Sequence, residues 1–190
     1  MANGTAPRLV ADIGGTNSRL ALYDPAEDAL IARQSLVNRE HENLEAIIQG
    51  WLEALDGPPP QECCLAVAAP PSGDRVSMLN IDWSFSCREL AALFGFSRLR
   101  CINDFEGNAL ALPYLSAEDF TTLHPGLPNE GASLATVGPG TGLGGATLSH
   151  IDGRAFARAS EPGHMGLAAA TELELELFRY LQARHGEVYA

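Results

Sequence analysis

Arg8-Leu9-Val10-Ala11-Asp12-Ile13-Gly14-Gly15-Thr16-Asn17-Ser18-Arg19 is the stretch on which the fold turns. A short apolar run stops at a carboxylate and two glycines and then restarts at once, which reads as strand, tight turn, strand. Paired glycines permit the backbone angles of a hairpin and leave main-chain N–H groups uncovered, so a phosphate could lie against bare backbone. Asp12, at the strand end, could hold a magnesium ion through water. The octapeptide from Asp12 is equally compatible with an ordinary hairpin in which Asp12 is a turn residue.

Outward from this hairpin, Arg19 to Tyr23 and Leu30 to Val37 continue an apolar antiparallel meander. Leu44, Ile47, Ile48, Trp51, Leu52 and Leu55 recur at helical spacing, Pro58-Pro59-Pro60 closes that region, and Cys63 to Ala69 reads as a buried strand. Arg75 to Asn80 is a further strand, Ser86 caps a helix from Arg88 to Phe94, and Leu99 to Ile102 forms a short strand ending at Asn103-Asp104. Three strands followed by alternating helix and strand indicate an α/β lobe. Glu106 to Leu112 looks helical, Pro113 breaks it, and Ser116 to Gly131 is rich in turn formers, which sets the expected lobes at 1–114 and 115–190. Strands resume at Ser133 to Val137, Ala146 to Ile151 and Arg154 to Ala159. A helix from about Ala169 to Arg184 follows, with Leu173, Leu177, Tyr180 and Leu181 expected on one buried face and Glu172, Glu174 and Glu176 solvated.

Composition restricts the chemistry. With 190 residues, 46% of them hydrophobic, the chain can bury a core, and a net charge of −12 argues against nucleic acid or an anionic membrane as partner. All 12 basic residues are arginines, so a Walker A lysine, a protein-kinase lysine and a pyridoxal Schiff base are excluded. No secretory signal and no membrane-length apolar window is visible. Cys63, Cys64, Cys87 and Cys101 show no C-x-x-C spacing and are expected as reduced core residues of a cytoplasmic protein.

Gly138-Pro139-Gly140-Thr141-Gly142-Leu143-Gly144-Gly145 is a second glycine cluster between strands. Its literal G-x-G-x-x-G is rejected as a dinucleotide fingerprint, because β-prone residues follow where a helix is needed. A second phosphate clamp, with the Thr141 hydroxyl, suits it better. Asn103-Asp104 sits where a buried strand gives way to a helix; helix capping is one role for the pair, and a general base toward a substrate hydroxyl is the other. Glu161-Pro162-Gly163-His164 adds a carboxylate and an imidazole, and with Asn103 and Asp104 these groups make the donor and acceptor set that adjacent sugar hydroxyls require.

These motifs, in order, resemble the bacterial glucokinases of the hexokinase, Hsp70 and actin-like superfamily: Asp12 to Asn17 with Arg19, Asn80 to Ser86, Ile102 to Phe105, Gly138 to Gly144 and Glu161 to His164. The resemblance implies an actin-like (ribonuclease H-like) α/β lobe with a mixed sheet and an incomplete second α+β lobe. It implies ATP and magnesium as cofactors and glucose as the small-molecule substrate, phosphorylated at its 6-hydroxyl. Ala11, Asp12, Ile13, Gly14, Gly15 and Thr16, with Gly140, Thr141 and Gly142, would face the ATP phosphates. Asn103, Asp104, Glu161 and His164 would hold the sugar, Asp104 being the base, and Asp12 would hold magnesium through water. A homodimer is compatible with the resemblance. The departures are Ala11, where many relatives have glycine, and the lack of any cysteine after His164, which favours the plain glucokinase branch.

Relatives of this type continue well past the position matching Ala190, and Glu187 does not match their further sugar glutamate. The expectation is therefore a fragment or truncated gene product with little or no activity alone. A catalytically silent sugar-binding or interaction protein, or a kinase for another hexose, stays open beside it.

Overall fold

In the computed structural model, which describes residues 6–70, 73–127, 129–139, 142–166 and 168–189, the opening hairpin organises a mixed sheet. β1 (Arg8–Ile13) alternates half-buried and buried positions, as a strand with one face on a core must. β2 (Asn17–Asp24) pairs antiparallel with it, opposing Asp12 to Arg19, and β3 (Ala29–Val37) completes the meander as an exposed edge strand. α1 (Leu44–Glu53) starts where the Asn43 side chain accepts the Ala46 N–H at 2.8 Å, and it buries Leu44, Ile47, Ile48 and Trp51. The chain then returns through β4 (Glu62–Val67), parallel to β1, and β7 (Arg98–Asn103), parallel to β4. The sheet order is β3-β2-β1-β4-β7, a meander fused to a parallel half.

Between β4 and β7 lie a hairpin of β5 (Arg75–Ser77) and β6 (Ser84–Ser86) and the helix α2 (Cys87–Phe94). β6 is absent from the sequence reading because its three residues carry no period. Ser86 caps α2 through the Glu89 N–H, and Gly95 closes it at φ 71°, a left-handed angle that glycine adopts without strain. Leu9, Ile13, Leu65 and Val67 from one sheet face meet Ile47, Ile48, Trp51 and Leu90 from the helices, with Trp83 at the margin of the same core. Cys63 is buried in this layer and its thiol is pushed up by burial; all four cysteines are free thiols. α3 (Asp104–Ala111) follows β7 directly.

The chain divides into two compact units, residues 1–107 and 108–190. The second holds an antiparallel sheet of β8 (Leu134–Pro139), β9 (Leu143–Ile151) and β10 (Arg154–Ser160), then α4 (Glu172–His185). Two details of α4 correct the sequence reading. It begins at Glu172, not near Ala169, because Thr171 and Glu174 cap each other's backbone in a capping box. Its more sheltered positions are Leu175, Phe178 and Leu181, whereas Leu173, Leu177 and Tyr180 are 75%, 52% and 58% exposed. Leucine alternates with glutamate from Glu172 to Leu177, so apolar side chains fall on more than one face, and the spacing alone could not say which turns inward. Among the described residues no helix is long and apolar enough to cross a membrane.

Candidate active site

The register of the parallel strands builds the site in the first unit. Ile13 lies opposite Val67, and Val67 opposite Asn103, so three strands end in one row. In open α/β sheets the crevice beyond such carboxyl ends is where ligands bind. Ala11 and Ile13 are buried in β1, Gly14 and Gly15 make the turn, and Thr16 is exposed at its tip. The Gly14 N–H donates to Asn17 O at 3.0 Å, closing the hairpin.

Two asparagines that the sequence reading gave no role fix this turn. A Cβ on Gly15 would lie 2.7 Å from Asn80 Cβ, so the loop between β5 and β6 abuts the hairpin and only glycine fits there. Asn38, wholly buried between β3 and α1, donates its Nδ2–H to Gly14 O at 2.8 Å and its backbone N–H to Thr16 O at 2.9 Å. Its Oδ1 accepts the Ser18 hydroxyl at 2.8 Å.

The Asp12 carboxylate accepts from Arg19 Nη1 at 2.7 Å, a pair set by the β1–β2 register and exposed to solvent. At the end of β7, Asn103 is buried, donating to Ala69 O at 3.3 Å and accepting the Phe105 N–H at 3.0 Å. Asp104 Oδ1 accepts the same N–H at 2.9 Å, so both residues cap α3. Burial raises the Asp104 carboxyl above its ordinary range, the Phe105 N–H opposes this, and the negative charge of Asp12 adds to the rise. The two carboxylates therefore share one electrostatic neighbourhood beside the hairpin. A cleft of about 780 Å³ opens on the sheet face away from α1, with Asp12, Arg19, Ala66 and Gly107 in its wall.

Magnesium keeps several waters and takes one or two carboxylates together with substrate phosphates. Asp12 and Asp104 are hard oxygen donors of that kind, and no cluster of three or more His, Cys, Asp or Glu forms a closed metal cage among the described residues.

In the second unit, Gly138 pairs with Gly144 and Pro139 with Leu143, so the second glycine cluster joins β8 to β9. Gly142 is exposed; Gly140 and Thr141, also expected at the phosphates, lie outside the described residues. Glu161 and His164 are exposed and flank a short helical turn in which the His164 N–H donates to Glu161 O at 3.0 Å. That turn rests on the glycine hairpin: a Cβ on Gly163 would come within 2.9 Å of Leu143 O. The Tyr189 ring lies beside His164, and its hydroxyl donates to Glu187.

The sequence pattern of the glucokinase family matches residues 9–190. The chain belongs to the glucokinase family. A glucokinase of Salmonella typhi is 38% identical over 182 residues, which are 96% of this chain and 56% of that protein. The crystal structure of a glucokinase from an Antarctic psychrotroph matches with a TM-score of 0.84 at 34% identity, over 98% of this chain and 59% of the other. A glucokinase from Balamuthia mandrillaris, in complex with glucose, shares the fold with a TM-score of 0.76 at 24% identity, over 99% of this chain and 59% of the other. This glucokinase-family chain thus spans about half the length of the curated relatives it matches, and within that span the fold is the actin-like one read from its motifs.

Proposed function

We propose that this glucokinase-family chain is the part of an ATP-dependent hexose kinase that carries the base and the first phosphate-facing hairpin. The reaction is transfer of the γ-phosphoryl group of ATP to the 6-hydroxyl of glucose. One observation carries the reading: Asp104 directly follows β7, the edge strand of the parallel half, where three strands end in one row, and it is half-buried in the field of Asp12. A carboxylate there can accept the hydroxyl proton as the oxygen attacks. Phosphoryl transfer asks a protein mainly for positioning and for donors aimed at developing charge, and the backbone of Gly15 and Thr16 provides such donors in a chain without lysine.

In this reading Asn103 and Asp104 are sugar-binding residues of the first unit, and Glu161 and His164 are sugar-binding residues of the second. Ala11 to Thr16 and Gly140 to Gly142 line the phosphates. Asp12, through water, holds magnesium, which when bound neutralises phosphate charge. The lobes divide at 1–114 and 115–190, and the protein works in the cytoplasm. Turnover belongs to a protein of full family length, and the 190-residue chain alone turns over little or no ATP.

A coupled assay of the full-length parent with glucose and ATP tests the assignment. Asp104→Asn should lower kcat by about 10²-fold or more, the usual worth of a positioned base. Turnover left intact by that substitution would overturn the role of Asp104, and robust glucose-dependent turnover by the 190-residue chain would overturn the limit set on it.

A further inference from the structure

We infer that Asn38 is a positioning residue for the phosphate-facing hairpin: it holds the Gly14–Asn17 turn in the shape that turns the Gly15 N–H outward. What the hairpin faces rests on the phosphoryl-transfer reading above; the bracing does not.

A side-chain amide taken wholly out of water costs free energy unless its polar atoms are paired. Asn38 is 0% exposed, and its two side-chain bonds and its backbone N–H all go to the β1–β2 hairpin, to Gly14 O, Ser18 Oγ and Thr16 O. Ser18 is buried as well, so the network is closed to solvent and satisfied within itself. None of these bonds crosses to α1 or to the apolar core, so the residue is specialised for the turn.

The direction of the bonds supplies the function. Every described peptide bond is trans, and in a trans peptide the carbonyl of one residue and the N–H of the next point opposite ways. Drawing Gly14 C=O inward to Asn38 therefore turns the Gly15 N–H outward. Without the amide, two adjacent glycines would be free to flip this peptide plane, because glycine has the widest backbone freedom of any residue. Asn38 thus restrains in advance the motion that an anion would otherwise have to arrest, which is how preorganisation raises affinity.

The test uses the 190-residue chain, with amide hydrogen exchange read residue by residue by NMR and binding of inorganic tripolyphosphate read by calorimetry. Asn38→Ala should speed exchange at Gly14, whose N–H closes the turn, by about tenfold more than at the amides of β4, the scale of one lost buried hydrogen bond. Tripolyphosphate affinity should fall by a similar factor. Asn38→Ser serves if the alanine variant does not fold: its hydroxyl is one bond too short for Gly14 O, so the same excess at Gly14 is expected. Ser18→Ala, which leaves the Gly14 bond in place, should show less of it. Exchange at Gly14 rising only in step with β4 overturns the brace, and so does unchanged tripolyphosphate affinity in a folded Asn38 variant. If the unsubstituted chain binds no tripolyphosphate while Asn38→Ala still frees Gly14, the bracing stands and the phosphate reading fails.

Discussion

Gly15→Ala should destabilise the first unit through a single contact. The new Cβ would lie 2.7 Å from Asn80 Cβ, inside even the short end of carbon–carbon contact, roughly 3.5 Å. Asn80 Cβ is fixed to its own backbone and cannot rotate away, so either the hairpin or the loop between β5 and β6 must move by most of the shortfall. Overpacking of this kind costs about 1–3 kcal/mol. In a unit of this size each kcal/mol lowers Tm by about 4–8 °C. The backbone at Gly15 is not in the left-handed region, so the loss is steric alone and should be reversible from the other side of the contact. Asn80→Gly removes the opposing Cβ from an exposed residue, and the double variant should recover about 1–2 kcal/mol relative to the sum of the single changes. Urea melts of the four proteins, followed by tryptophan emission, measure this. A Gly15→Ala protein as stable as its parent, or a double variant with no recovery, would refute the steric reasoning.

Asp104→Asn should raise stability at neutral pH while removing the proposed base. The folded carboxyl binds its proton more tightly than the unfolded one, so the native state loses stability as pH rises through the window above the ordinary carboxylate range. Urea melts of both proteins should therefore differ in favour of asparagine at pH 7 and converge as pH falls toward that range; a less stable asparagine variant at pH 7 would contradict the sign. Gly50→Ala, on the exposed side of α1 with nothing within 4 Å of the added Cβ, should stabilise by about 0.5–1 kcal/mol in the same melts, and a loss would mean the helix is not continuous there. Thr171→Ala removes one half of the capping box and should cost about 1 kcal/mol of local stability, seen as faster amide exchange in the first turn of α4 but not in β9.

Much of the fold was legible because its signals are local. Arg8 to Ile13, the glycine pair and Arg19 to Tyr23 carry a period of two broken by a turn, and Leu44 to Trp51 carries a helical period, so these elements lie where the periods place them. Ser86 caps its helix as its chemistry suggests. Asn103 and Asp104 could be located at a strand end from the apolar run before them. Asn38 could not be found in this way, since a lone asparagine between a strand and a helix reads as a loop residue until folding brings Gly14, 24 positions away, onto its amide. Asn80 stands apart from Gly15 in the chain for the same reason, and no local pattern reports their contact. The face of α4 was misread because leucine and glutamate alternate through its first turns, a period that belongs to neither face.

The burial of Trp51 and Trp83 has a spectroscopic consequence. They are the only tryptophans in the chain, and both sit against the core of the first unit, with the Trp51 indole donating to Ala32 O at 3.3 Å. Three of the four tyrosines, Tyr114, Tyr180 and Tyr189, lie in the second unit. Indole emission is thus a signal from one unit and blind to the other, while tyrosine difference absorbance is weighted the opposite way. Each half of the chain carries its own native optical label, so the order in which they melt can be read without attaching a dye.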